Sequence, residues 1–180
     1  EIALIADGVK AADVYKVLAT PAGVDRAFKK LDTIKKDLVY WKSGAQPPQM
    51  LAAGDVVMTT AYNGRVTAAN DKDKKNFKMV WKDTPYTMDS WVIMKGTPNK
   101  ADAEKLVEYL GRAENQAKLP KYIRYGVTSG AAAPLIDKAL MADLPTNPDI
   151  LKQAFPEDAK FWIDNGDKLA ERWTRWSGTK

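Results

Sequence analysis

The chain has 180 residues, 45% of them apolar and 28% charged, with a net charge of +5. That composition is ordinary for a chain that buries a sizeable core, in one large domain or two small ones. It contains no histidine and no cysteine, which excludes Ser–His and Cys–His catalysis, disulfides and thiolate metal sites.

No stretch approaches the run of about 18 apolar residues that a membrane helix needs. The basic groups at Lys29-Lys30, Lys35-Lys36 and Lys72 to Lys75 have acids interspersed, a pattern of solvated faces rather than of a nucleic-acid stripe. The sequence opens on Glu1 with neither an initiator Met nor the basic, apolar and cleavage regions of a signal peptide. A processed or partial product is therefore expected.

Residues 2–5 form a short apolar run that reads as a strand, followed by a turn at Asp7-Gly8. A short helix is expected over residues 12–19. Thr20-Pro21 then offers an N-cap and a first-turn proline for a helix reaching about Lys36. Residues 38–41 read as a strand. Pro47-Pro48 start a helix that Gly54 closes. Residues 55–61 read as a buried strand, 70–76 as a surface loop, 77–81 as a strand and 87–92 as another. Helices follow from about Lys100 to Leu110, near Ala113 up to Pro120, over 131–141, over 148–155, and from Asp158 to Trp176. Strands alternating with helices up to about residue 95, and helices thereafter, indicate an α/β fold.

Two stretches stand out chemically. The first is Tyr62-Asn63-Gly64-Arg65, where a strand should stop, since Asn and Gly both tolerate positive φ. A strand ending in a glycine turn that opens a helix often places its last side chains at a ligand crevice. Tyr62 and Arg65 would supply an aromatic wall and a fixed cation there. The second is the run from Thr87 to Val92, in which alternation puts Thr87, Asp89 and Trp91 on one face. A buried Asp89 needs a cationic partner, and a ligand amine is one. The same residues also fit a plain hairpin turn and an Asp89 held by a structural Lys or Arg.

The order of these motifs, with Lys95-Gly96-Thr97-Pro98-Asn99, Tyr125-Gly126-Val127-Thr128, Leu140 to Thr146 and Phe161-Trp162 to Trp173, resembles the periplasmic solute-binding proteins of polyamine-type ABC importers. The likeness runs over essentially the whole chain. It implies the C-terminal portion of a two-lobe, type II periplasmic-binding-protein fold. Residues 1–88 would belong to the second lobe and 89–152 to the first, after the hinge crossover; the helices of 153–180 would return to the second. The resemblance also implies a non-enzymatic, periplasmic capture protein without metal or cofactor and without nucleic acid as a partner. Its partners would be a small amine or amino-acid ligand, a membrane permease and a missing N-terminal segment of the same protein.

Carried over by position, Tyr62 matches an aromatic that stacks on the ligand's alkyl chain, Asp89 the carboxylate that pairs with its amine, and Tyr125 a further pocket aromatic, with Trp91 beside them. Two departures bear on the ligand. Thr87 stands where spermidine and putrescine binders carry Trp, and Arg65 stands where they carry a small residue. A guanidinium repels a second ammonium and attracts a carboxylate. With Arg65 pointing outward to solvent, the expectation is a small amine such as putrescine or spermidine; with Arg65 in the cleft, the alternative is a zwitterionic ω-amino acid such as 4-aminobutyrate, held between Arg65 and Asp89. An enzyme using Asp89 as acid or base is the remote one. Asp7 and Gln46, in loops after strands, are lesser candidates for ligand contact, and a plain turn role fits each better.

Overall fold

The computed structural model describes residues 1–179. In chain order its helices are α1 (Ile2–Ala6), α2 (Val14–Leu18), α3 (Pro21–Asp32), α4 (Gln46–Ala53) and α5 (Asn63–Asp73). After the two-residue β1 (Pro85–Tyr86) come α6 (Lys100–Gly111), α7 (Ala113–Gln116), α8 (Lys138–Met141) and α9 (Pro148–Leu151). The chain closes with β2 (Phe155–Pro156) and α10 (Ala159–Gly178). No helix among the described residues is long and apolar enough to cross a membrane.

The helix starts follow local chemistry. Thr20 Oγ1 accepts a hydrogen bond from Gly23 N at 3.0 Å, with Pro21 at the first helical position; such a cap contributes about 1 kcal/mol. Asp158 caps α10 in the same way, accepting from Phe161 N at 2.9 Å. Gly54 ends α4 at φ +80°, a left-handed geometry that an L side chain adopts only at a cost.

The described chain gathers into two compact units. The first comprises Glu1–Tyr40, Lys82–Thr87 and Ala154–Lys180, and the second Trp41–Trp81 and Met88–Gln153. In the first, α1 and α2 pack on α3 around Leu4, Val14, Leu18, Ala27 and Phe161. β1 and β2 pair in parallel there, with Phe155 N donating to Thr84 O and Glu157 N to Tyr86 O. Tyr15 Oη and Trp162 Nε1 both donate to Glu1 Oε1, at 3.0 and 2.8 Å. In the second unit the core is Ala117, Val127, Ala132, Ile136 and Leu144.

Several expected elements differ. Residues 2–5 are helical, not a strand. So short an apolar run fits either period, and the single turn buries Leu4 completely while leaving Ile2 half exposed. The expected strands over 38–41, 55–61, 77–81 and 87–92 are not formed: the one ladder among the described residues joins β1 and β2. Strand pattern alone supplies no neighbour, and Val57 is 94% and Trp91 73% exposed. Asn70, expected in a loop, lies in the last turns of α5, where its amide clasps the backbone of Phe77. It donates to Phe77 O and accepts from Phe77 N, each at 2.9 Å. The helix expected over 131–141 is interrupted between a 3-10 turn at Ala133–Leu135 and α8, which Asp137 caps by accepting from Ala139 N at 2.8 Å.

Candidate functional site

Helix α5 organises the second unit's candidate site. Tyr62 is its N-cap residue, in extended conformation, and no side chain caps the helix. Gly64, Val66, Thr67 and Ala69 face inward, and the buried Thr67 hydroxyl lies within hydrogen-bonding distance of Asn63 O and Gly64 O, at 3.1 and 3.2 Å. Arg65 is exposed, and its guanidinium has no hydrogen bond or ion pair among the described residues. An uncapped helix start leaves backbone N–H groups and a partial positive charge beside that guanidinium.

Asn63 and Gly64 are the first residues of α5, and Gly64 is not at positive φ, so the expected turn at this point is a helix start. Gly64 is needed for close approach instead. A Cβ there would lie 2.7 Å from Tyr125 Cε1 and 2.8 Å from Ile123 Cγ1. Asn63 Nδ2 donates to Arg124 O, and Arg124 Nη2 reaches Asp71 Oδ2 at 3.0 Å. Gly64 and Asn63 thus bring residues 123–125 against the first turn of α5, on the face away from Arg65.

The wall behind Tyr62 is made by residues that the sequence reading placed only in a strand and its loop. The Trp41 ring stands 6.3 Å from the Tyr62 ring at 66°, and Trp41 Nε1 donates to Thr60 Oγ1 at 3.3 Å. Gly44 sits under the Tyr62 ring. No local signal joins these stretches; the packing of a ring on a bare backbone shows only in three dimensions.

Asp89 and Trp91 lie in the same unit on an exposed segment, and no hydrogen bond, ion pair or ring contact joins them to the α5 cluster. Asp89 is exposed and forms no ion pair with a Lys or Arg among the described residues. The two lesser candidates have other work. Asp7 accepts from Arg26 Nε at 2.6 Å, and this hydrogen bond holds its carboxyl below the usual range. Gln46 Oε1 accepts from Lys42 N and Ser43 N at 2.6 and 2.9 Å, closing the loop before α4. An open depression of about 390 Å³, lined by Asn70, Asp71, Phe77, Trp81 and Arg124 among others, includes none of the five site residues. Part of its polar lining is spent on the Asp71–Arg124 pair.

Residues 1–149 match the family described as bacterial extracellular solute-binding protein. A gamma-aminobutyric acid-binding protein of Pseudomonas aeruginosa is 48% identical over 177 residues, covering 98% of this chain and 50% of that protein. Among solved structures, a GABA receptor superposes with a TM-score of 0.81 at 32% identity, over 99% of this chain and 53% of that one. An ABC transporter substrate-binding protein from Bradyrhizobium japonicum gives 0.83 at 33% identity, over 97% and 53%. The protein AgtB from A. tumefaciens, solved with agropinic acid, gives 0.79 at 32%, over 97% and 54%. The chain spans about half the length of the relatives it matches. The α/β periplasmic-binding fold implied by the motifs is the fold of these relatives, and the chain belongs to the family of bacterial extracellular solute-binding proteins.

Proposed function

We propose that the complete protein is the capture component of an ABC importer, working outside the cytoplasmic membrane, and that its ligand is a zwitterionic ω-amino acid such as 4-aminobutyrate. Arg65 carries this reading: a guanidinium with no counterion among the described residues, beside an uncapped helix start. A carboxylate satisfies both, through paired charge-assisted hydrogen bonds and a favourable helix dipole. Tyr62 and Tyr125 offer faces for the methylene stem, and Asp89 is the free carboxylate for the ammonium end, with Trp91 as a further aromatic. The similarity to a gamma-aminobutyric acid-binding protein and to a GABA receptor supports the amino acid over putrescine or spermidine. A diamine would bring a second ammonium to Arg65, at a cost of about 1 kcal/mol even in water at contact distance and more in a closed cleft.

On this reading no reaction is catalysed and no cofactor takes part. The lobes of the complete protein close on the solute, and a membrane permease reads the closed state. The residues that relatives have beyond this chain's span would supply the rest of the cleft. The test is calorimetric titration of the complete protein and its Arg65→Ser variant with 4-aminobutyrate and with putrescine. Loss of a charge-assisted pair should weaken 4-aminobutyrate by about 2 kcal/mol or more, while putrescine binding stays weak or improves. Tight putrescine binding that Arg65→Ser leaves unchanged would refute the assignment.

A further inference from the structure

We propose that Gly44 is a specificity-determining position. Its missing side chain lets the Tyr62 ring lie back against the 43–45 turn, which sets the room left for the ligand's stem. The inference rests on the reading of Tyr62 as a ligand wall and extends it to a residue that never touches the ligand.

A Cβ at Gly44 would lie 2.9 Å from Tyr62 Cδ2 and 3.0 Å from Cε2. Carbon atoms in ordinary contact stand about 3.5–4.0 Å apart, so a methyl group there displaces the ring by roughly half an ångström or more. The glycine is not required by its backbone, because Gly44 is not among the residues at positive φ. Alanine would be acceptable to the turn and unacceptable only to the ring.

The turn cannot easily give way. Gln46 Oε1 takes hydrogen bonds from both Lys42 N and Ser43 N, and the helix that follows is anchored by the buried Pro47 and Pro48. Trp41, edge-on to Tyr62, is tied through its indole N–H to Thr60. The Tyr62 side is open, with the residue 57% exposed. The ring therefore moves outward, into the space assigned to the ligand stem.

The experiment is titration of the complete protein, as wild type, Gly44→Ala and Gly111→Ala, with 3-aminopropanoate, 4-aminobutyrate and 5-aminopentanoate. Gly111 is the control: a Cβ there meets nothing within 4 Å, and its φ is not positive. Gly44→Ala should shift preference toward the shorter ligand, with the affinity ratio between the longest and shortest changing about tenfold, the usual scale for one methyl in a fitted site. Gly111→Ala should leave the ratio unchanged. A wild type that binds 4-aminobutyrate with a Gly44→Ala ratio equal to its own, whether or not all affinities fall together, would overturn the role of Gly44. A wild type that binds none of the three would remove the amino-acid reading and this inference with it.

Discussion

The Tyr15 phenol is a titrating group of the first unit whose ionisation opposes folding. Burial is the main cause that pushes its pKa from 10.0 up to about 12, because the anion would lose its hydration. The folded chain thus keeps a proton that the unfolded chain releases above pH 10. The contribution is full below pH 10 and is lost as pH rises through about 12. Thermal unfolding followed from pH 8 upward should show the midpoint falling steeply over that window, with the tyrosinate absorbance of the folded protein arriving late. Tyr15→Phe should flatten the slope. At this scale the sequence singles out Arg65 as a departure from the family pattern and Asp89 as a charge in an otherwise apolar run; both are exposed, and neither side chain has an ion-pair partner among the described residues. For Gln46 the turn role is what the loop hydrogen bonds show, whereas the Arg26 partner of Asp7 is found only in the folded chain.

Among the elements, α5 carries Arg65 and starts just after Tyr62, and its close approach to residues 123–125 is its weakest tolerance. Gly64→Ala would gain helix propensity and lose unfolded-state freedom, worth up to about 1 kcal/mol. Against this stands overpacking on Tyr125 and Ile123, at about 1–3 kcal/mol. The net expectation is a loss of about 1 kcal/mol in urea unfolding of the complete protein, together with weaker ligand binding as Tyr125 is displaced. Helix starts were legible because their signals are local: the Thr20 cap, the Pro47-Pro48 start and the Gly54 stop all stand where the sequence put them. Strands were not. A run such as 55–61 states that a segment is apolar and β-branched but cannot name a neighbour, and the described residues provide none. The asparagine–glycine pair misled for a similar reason: Gly64 answers to a ring across the fold and not to its own φ.

At the scale of the molecule, the chain spans about half the length of its relatives and exposes Val57, Met58, Met88, Trp91, Val92 and Met94 at 73% or more. Apolar residues displayed in this way invite association. By itself the chain should form concentration-dependent oligomers in sedimentation; the residues that relatives have in addition, supplied as a separate polypeptide, should replace these with a one-to-one complex. That outcome would turn a sticky surface into an instrument. If the solute contacts both polypeptides, mass action makes their association depend on its concentration, and an amine too small to alter sedimentation directly would be weighed through the pair it holds together.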